Sequence, residues 1–436
     1  MVRTLFLIII NLIIISTLGY ILYLFFNFFD KIENHFIKIG VILVLIFTFI
    51  VIFRYLLLLY FSLLKLILKE DIKNQRNINS SFKVSIIVPA YNEEIVIDTS
   101  IKSLLNQTYP YIEIIIVDDG STDLTYTKAK KYEFNSKLKS LKVLRKVNSG
   151  KANAINYGIK YSNGELIMVM DADSKLKEDA VELMVNYFSN PDIAAVAGSV
   201  YVSNQNNLLT KLQALEYIEG LNMVRNGQAF LKLVNIIPGP IGMFRKKALY
   251  EVGLYDDDTF AEDCDVTLKL IAKGYKIDFE ANAIAYTEAP ESLLDLIKQR
   301  YRWTRGILQA IKKHKNLLWH IKTNPAASFT LWYMLFEAIF WPFMDIWTNM
   351  FILYLSITTG VSILIFFWWS MFTILDIAGA LYCVLVTNER LSLVFYAIFY
   401  RLFFITTINI TKVLSTFEEW FGIKMSWGKL ERKGSL

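Results

Sequence analysis

Two aspartates two residues apart, Asp171 and Asp173, follow directly on the apolar run Leu166–Met170. Carboxylate oxygens are hard ligands, and a pair on one side of the backbone suits Mn2+ or Mg2+ shared with a diphosphate. In an extended segment, residues two apart project to the same side. The Asp-x-Asp spacing also arises by chance, so its place at a strand end carries more weight than the pattern. Just upstream, Asn148-Ser149-Gly150-Lys151 offers an ammonium for a phosphate, or is an ordinary solvated turn. Asp118-Asp119-Gly120-Ser121 closes a second apolar run, and Pro89-Ala90-Tyr91-Asn92-Glu93-Glu94 closes a third. Alone, each is common turn chemistry. Together they set an aromatic ring and carboxylates side by side, where a flat base can stack and donate its N–H groups.

Further along, Gly239 sits in the Gly/Pro-rich stretch Pro238–Arg245, which is either a simple connection or a place where backbone approaches a sugar closely. Ala261-Glu262-Asp263 opens a helical stretch through Asp265, Leu268 and Ile271. Acids in a first turn also simply complement the helix dipole. Gln299-Arg300-Tyr301-Arg302-Trp303 lies in a basic amphipathic segment from Ser292 to about Ile311, where Gln299, Arg302 and Trp303 share a helical face. This reads as a helix in the membrane interface that also borders a site. With three histidines and two distant cysteines, Cys264 and Cys383, any metal here is held by carboxylates and there is no disulfide framework.

The elements that must position these residues are short apolar runs alternating with amphipathic stretches. Val84–Val88, Ile112–Val117, Leu141–Leu144 and Leu166–Met170 read as buried strands; Ile95–Leu105 and Asp179–Tyr187 read as helices. Continuous apolar strands separated by helices imply an α/β domain with a mainly parallel sheet covered on both faces. Ligands bind such sheets outside the carboxyl ends of the strands, and the polar motifs occupy those ends.

Outside this region the chain is apolar, and 54% of all residues are hydrophobic against 20% charged. Phe6–Phe26 and Ile39–Tyr60 are each long enough to cross a bilayer, which takes about 20 helical residues. The first is too long, and lacks the small-residue cleavage site, for a signal peptide. Four spans follow at Phe329–Ile346, Met350–Trp369, Met371–Val386 and Leu391–Thr411, with three spans and a re-entrant segment as the alternative. Glu337 and Asp345 fall within them; they either mark a polar path or serve as a helix cap and a local ion pair. Lys65, Lys69, Lys312, Lys313, Lys315, Lys412 and the Lys429–Lys433 tail border one side, which makes that side, and the central domain, cytoplasmic. The net charge of +6 is without long basic runs, so nucleic acid has no support as a partner.

Taken in order, Asp118-Asp119-Gly-Ser, Asp171-x-Asp173, Glu262-Asp263 and Gln299-x-x-Arg302-Trp303 resemble the membrane-bound processive branch of glycosyltransferase family 2. That branch includes poly-N-acetylglucosamine, hyaluronan, chitin and cellulose synthases. The tail Trp427–Arg432 is similar to the poly-N-acetylglucosamine group. The resemblance implies a Rossmann-like GT-A domain over residues 71–290, preceded by two transmembrane helices (1–70). It is followed by interfacial helices (291–326), about four transmembrane helices (327–414) and a cytoplasmic tail (415–436).

It further implies that Ala90, Tyr91, Glu93, Asp118, Asp119, Lys151 and Asp171 bind the nucleotide. Asp171 and Asp173 hold Mn2+ or Mg2+, and Asp263, beside Glu262, is the general base. Gly239, Gln299, Arg302 and Trp303 contact diphosphate and acceptor. The implied reaction is inverting transfer from a nucleotide sugar, of the UDP type, to a β-linked polysaccharide, in a multi-pass protein of the plasma membrane. Ala261 departs from the threonine of many relatives, and Pro238-Gly239-Pro240 departs from their Ser-Gly form. Transfer of one sugar to a polyprenyl phosphate is the alternative reaction; a non-catalytic sensor or scaffold subunit is the alternative of another class.

Overall fold

In the computed structural model, residues 34–73, 82–359, 363–387 and 389–423 are described, with isolated residues beyond them. The span expected at Phe6–Phe26 and the Trp427–Arg432 tail lie largely outside the described residues.

Nine strands form one sheet: β1 (Val84–Ala90), β2 (Ile112–Asp118), β3 (Phe134–Asn135), β4 (Lys139–Arg145), β5 (Leu166–Val169), β6 (Ser174–Leu176), β7 (Ile193–Val202), β8 (Gly242–Arg245) and β9 (Lys276–Thr287). Their order is β3-β4-β2-β1-β5-β8-β7-β9-β6. The pairs β4/β2, β2/β1, β1/β5 and β7/β9 are parallel, and β8 runs antiparallel between β5 and β7. β1 and β2 are buried along their whole length, as their near-continuous Ile and Val content requires. Each fully buried Ile or Val contributes ~1.5–3 kcal/mol.

Two polar residues interrupt these central strands, and register resolves both. Ser85 stands opposite Glu113, and its hydroxyl donates to the carboxylate at 2.7 Å. Asn163 donates to the same carboxylate from its backbone N (2.7 Å) and Nδ2 (2.9 Å), and Lys142 from Nζ (2.9 Å). Burial pushes this carboxyl up, but the four donors outweigh it and hold Glu113 at about 2.

A helical ribbon over 208–230 carries the chain from β7 toward β8. Asn207 caps it, accepting from Thr210 N at 2.8 Å, and residues Tyr217–Met223 wind as a π-helix. Its last part packs on the apolar helix His35–Lys73, where a Cβ on Gly227 would come within 2.6 Å of the Leu58 carbonyl. Lys65 fastens that same helix to the sheet by donating to Asp278 (2.7 Å) and the Phe279 carbonyl (2.6 Å).

Among the described residues three helices are long and apolar enough to cross a membrane: His35–Lys65, Pro325–Thr358 and Trp368–Thr387. After residue 324 the described residues form three helical ribbons, 325–359, 363–387 and 392–420, where the sequence reading set out about four spans. The difference arises because residues 341–359 continue without a break past Met350. Glu337 and Asp345 both have partners within the bundle: Arg54 lies 2.5 Å from Glu337, and Asn409 donates to Asp345 at 2.8 Å. Arg401 grips Asp376 through two bonds of 2.9 and 3.0 Å. Pairing of this kind is what makes ionisable groups tolerable at membrane depth.

The amphipathic helix Leu293–Lys313, capped by Ser292, lies between sheet domain and bundle. It presses on the segment before Glu262: a Cβ on Gly306 would fall 2.7 Å from both Cβ and N of Ala261. Gln309 adds a tie, its Oε1 accepting from Phe260 N at 3.1 Å. From the other side Tyr301 meets Glu418, and Arg305 donates to Glu419 (2.8 Å) and the Ile423 carbonyl (2.8 Å).

Two outcomes are expected for the full-length protein in detergent. Glu113→Ala should cost about 3 kcal/mol through the loss of hydrogen bonds to a charged group. Because the folded carboxyl titrates at about 2, below its ordinary value, that contribution is complete above about pH 4.5 and disappears as pH falls toward 2. Unfolding midpoints of wild type and variant should therefore converge in acid; a gap independent of pH would contradict this. Gly306→Ala should destabilise by roughly 1–3 kcal/mol, the usual cost of overpacking. An unchanged thermal midpoint would show that the two backbones separate freely.

Candidate active site

Because β1 and β2 are parallel neighbours, the loops that follow them leave the sheet together, with Ala90 opposite Asp118. The two loops are laced by hydrogen bonds: Asp119 N to the Ala90 carbonyl (2.8 Å), Asn92 N to Ser121 Oγ (2.9 Å), Thr122 N to Asn92 Oδ1 (2.8 Å) and Glu93 N to Thr125 Oγ1 (2.7 Å). Asn92 adopts φ 54°, a left-handed conformation that asparagine tolerates. This fixes the loop on which Tyr91 presents a ring 42% exposed. Asp118 is fully buried beneath, with Arg145 Nε 3.0 Å from its carboxylate.

Asp119 is committed to the next turn, accepting from Ser149 N (3.1 Å), Gly150 N (2.9 Å) and Lys146 Nζ (2.6 Å). Gly150, at φ 94°, then leads into the helix Lys151–Lys160. Asp119 thereby places Lys151 at the head of that helix.

The Asp171–Asp173 pair is not extended, as the sequence reading expected. Ser174 N donates to the Asp171 carbonyl at 3.1 Å, so the pair forms a tight turn between β5 and β6. Lys151 Nζ lies 2.7 Å from Asp171 Oδ1 and also 2.7 Å from Glu262 Oε1. Burial pulls this ammonium down, but Asp171, Glu262 and Asp263 outweigh it and hold it well above the ordinary lysine range. Gly239 completes the cradle, since a Cβ there would stand 2.9 Å from Asp171 Oδ2. Carboxylate oxygens on one turn, one of them shielded and without a hydrogen bond, fit a hard divalent cation.

Glu262 and Asp263 open the helix Glu262–Ala272. Burial and then the Glu262 carboxylate push the Asp263 carboxyl up to about 6, against the pull of Lys151. Its Oδ1 accepts from Cys264 N at 2.8 Å, which fixes its direction. Asp265 faces elsewhere. It forms with Asp256 and Asp258 an acidic cluster within 4.8 Å, but Lys313 Nζ already lies 3.0, 2.6 and 2.7 Å from the three. An ammonium fills that cluster.

On the helix Leu293–Lys313, Gln299 is buried while Arg302 and Trp303 are half-buried. Arg300, which the sequence reading did not single out, is the guanidinium that goes inside. It donates to Gln299 Oε1 at 2.7 Å, pairs with Glu216 at 2.5 Å and stacks 4.2 Å from the Trp303 ring centre. Tyr217 also lies beside Trp303, ring centres 6.4 Å apart, with the same guanidinium 5.9 Å from its own ring centre. Arg225 was also missed. It is 7% exposed and its Nη1 donates no hydrogen bond, and burial lowers it to about 10 against the pull of Asp263 and Tyr217. No local pattern announced Glu216, Tyr217 or Arg225, which lie in an unremarkable amphipathic stretch. Arg300 was signalled only by its place beside Gln299.

Comparison with known proteins bears on this arrangement. The profile of glycosyl transferase family 2 matches residues 85–253. A poly-beta-1,6-N-acetyl-D-glucosamine synthase of Staphylococcus epidermidis is 33% identical over 265 residues, covering 60% of this chain and 63% of that protein. The enzyme of the same description from Staphylococcus aureus is 32% identical over 281 residues, covering 64% and 66%. The chain thus matches just under two thirds of the length of these relatives. A mannosyltransferase from Pyrobaculum calidifontis, solved with GDP-Man and Mn2+, superposes with a TM-score of 0.61 over 88% of this chain and 99% of its own, at 18% identity. That likeness is one of fold, GT-A. From β1 to the loop before Glu262, residues 85–253 thus form a domain that matches glycosyl transferase family 2.

Proposed function

We propose that the protein transfers a sugar, N-acetylglucosamine or a related hexose, from a UDP-type nucleotide sugar to a growing β-linked polysaccharide. The single observation that carries this is Asp263: a carboxyl held at about 6, joined through Glu262 and Lys151 to the Asp171–Asp173 turn. The polymer-making relatives support the product class, and the mannosyltransferase with its nucleotide sugar and Mn2+ supports a metal-bound diphosphate.

Tyr91 and the carboxylates near it hold the nucleobase. Asp171 and Asp173 hold the divalent ion, which when bound supplies positive charge for the departing diphosphate. Lys151 and Arg302 add fixed cations there, in a site where such charge acts without reorganising. Asp263 takes the proton of the acceptor hydroxyl as its oxygen attacks the anomeric carbon. A single displacement inverts that carbon, so an α-linked donor yields a β-linked product. Trp303, backed by Arg300 and Tyr217, offers a broad face on which an acceptor pyranose stacks. The helical bundle holds the domain on the cytoplasmic side and receives the growing chain.

Asp263→Asn is expected to lower transfer by about 10²–10⁴-fold while leaving nucleotide binding intact. The wild-type rate should fall with unit slope below about pH 6, because only the deprotonated base accepts a proton; a rate flat from pH 7 to 5 would remove Asp263 from that role. Purified protein in lipid, given several nucleotide sugars in excess, should make a product that sizes as a polymer. Trp303→Ala should lose polymer more than donor hydrolysis. A monosaccharide-lipid as the only wild-type product would replace this reading with transfer to a polyprenyl phosphate.

A further inference from the structure

The ammonium of Lys151 stands where three separate pieces of chain meet. Asp171 belongs to the turn after β5, Glu262 to the head of the helix Glu262–Ala272, and Gly239 to the loop before β8. Nζ is 2.7 Å from Asp171 Oδ1 and 2.7 Å from Glu262 Oε1, and a Cβ on Gly239 would come within 3.1 Å of it. The space around the ammonium is therefore closed on these sides. Asp171 Oδ1 is shielded from solvent and receives no aligned hydrogen bond, so the contact with Nζ is close but poorly directed. An oxygen in that state has lone pairs still to give.

A divalent ion sits about 2.1 Å from a carboxylate oxygen when it is Mg2+. Ion and ammonium would then crowd the same oxygen as like charges. With Asp171 given to the ion, the ammonium keeps Glu262 on one side and is drawn toward any further anion that arrives. Beside Gly150 the space is open, with nothing within 4 Å of where its Cβ would be. A phosphate approaching the N–H groups at the head of the helix Lys151–Lys160 comes within reach of the lysine from that side. Turning Lys151 from Asp171 toward phosphate, while it stays beside Glu262, gives Asp171 to the metal and the ammonium a new anion, provided metal and diphosphate arrive together. Metal alone sets a second cation on Asp171 against an ammonium that Glu262 still holds close by.

We propose that Lys151 is a placeholder cation on the metal carboxylate Asp171, so that the protein takes up its divalent ion only together with a nucleoside diphosphate. The inference rests on the reading of Asp171 and Asp173 as the metal pair, and it adds that Lys151 makes their use conditional. Lys151 is in this sense a positioning residue for the metal as well as a phosphate ligand.

The test is Mn2+ binding to the full-length protein in lipid nanodiscs, read by the electron paramagnetic resonance of free Mn2+, with and without excess UDP. Wild type should bind Mn2+ weakly alone and about fiftyfold more tightly with UDP. Lys151→Met should bind Mn2+ alone about tenfold more tightly than wild type, with most of the UDP enhancement gone. Its thermal midpoint should then rise on adding Mn2+ alone, where the wild-type midpoint rises only with Mn2+ and UDP together. Lys151→Gln serves where the methionine variant does not fold, and Lys151→Arg, which keeps the cation, should retain the dependence on UDP. Equal wild-type affinity for Mn2+ with and without UDP, or a Lys151→Met protein that binds Mn2+ no more tightly, would overturn the placeholder. Mn2+ binding lost in Asp173→Asn in either case would leave the metal assignment standing. Wild type that binds no Mn2+ under any condition would overturn the assignment and the placeholder together.

Discussion

Three carboxylates crowded on one ammonium are the constraint on which the rest of this structure depends. Asp171, Glu262 and Asp263 come from parts of the chain about ninety residues apart, and their mutual repulsion opposes bringing them together. Removing charges from water is costly unless they are paired. Lys151 supplies that pairing, but only if turn, helix and loop are each held still. The sheet does this for Asp171, Asp119 does it for Lys151, and the packing of Gly306 on Ala261 does it for the acidic pair. The site is thus a property of the assembled layers rather than of any motif.

Much of the sheet domain was legible because parallel strands buried on both faces must be apolar throughout, and Val84–Val88 or Ile112–Val117 admit few other readings. The ends of those strands, where polar residues gather, were legible for the same reason. β7 was not. Its run Ile193-Ala-Ala-Val-Ala-Gly-Ser is poor in the branched and aromatic residues that mark strands, because its neighbours press too close for larger ones. A Cβ at Gly198 would meet Ile241 at 2.5 Å. The ribbon over 208–230 was equally hidden, since its π-helical part breaks the helical period on which a reading depends.

Within the site, the sequence pointed to residue types and neighbourhoods but not to partners. The spacing of Asp171 and Asp173 suggested an extended pair; a backbone bond from Ser174 closed it into a turn instead. Arg302 stood out in its motif, yet Arg300 is the one that goes inside, because Glu216 waits there on a ribbon 84 residues earlier. Long-range ion pairs of this sort leave no local trace. Lys65 with Asp278 and Arg54 with Glu337 are further cases, and they join domain to bundle and helix to helix.

The helix Leu293–Lys313 is gripped on both flanks. Gly306 and Gln309 hold it to the segment leading into Asp263, while Tyr301 and Arg305 hold it to Glu418 and Glu419 at the end of the last ribbon. The ribbon packs on the apolar helices 341–359 and 363–387 and reaches Asp263 through one intervening helix. A displacement of that ribbon would therefore be transmitted as a mechanical load to the acidic pair at the head of the helix Glu262–Ala272.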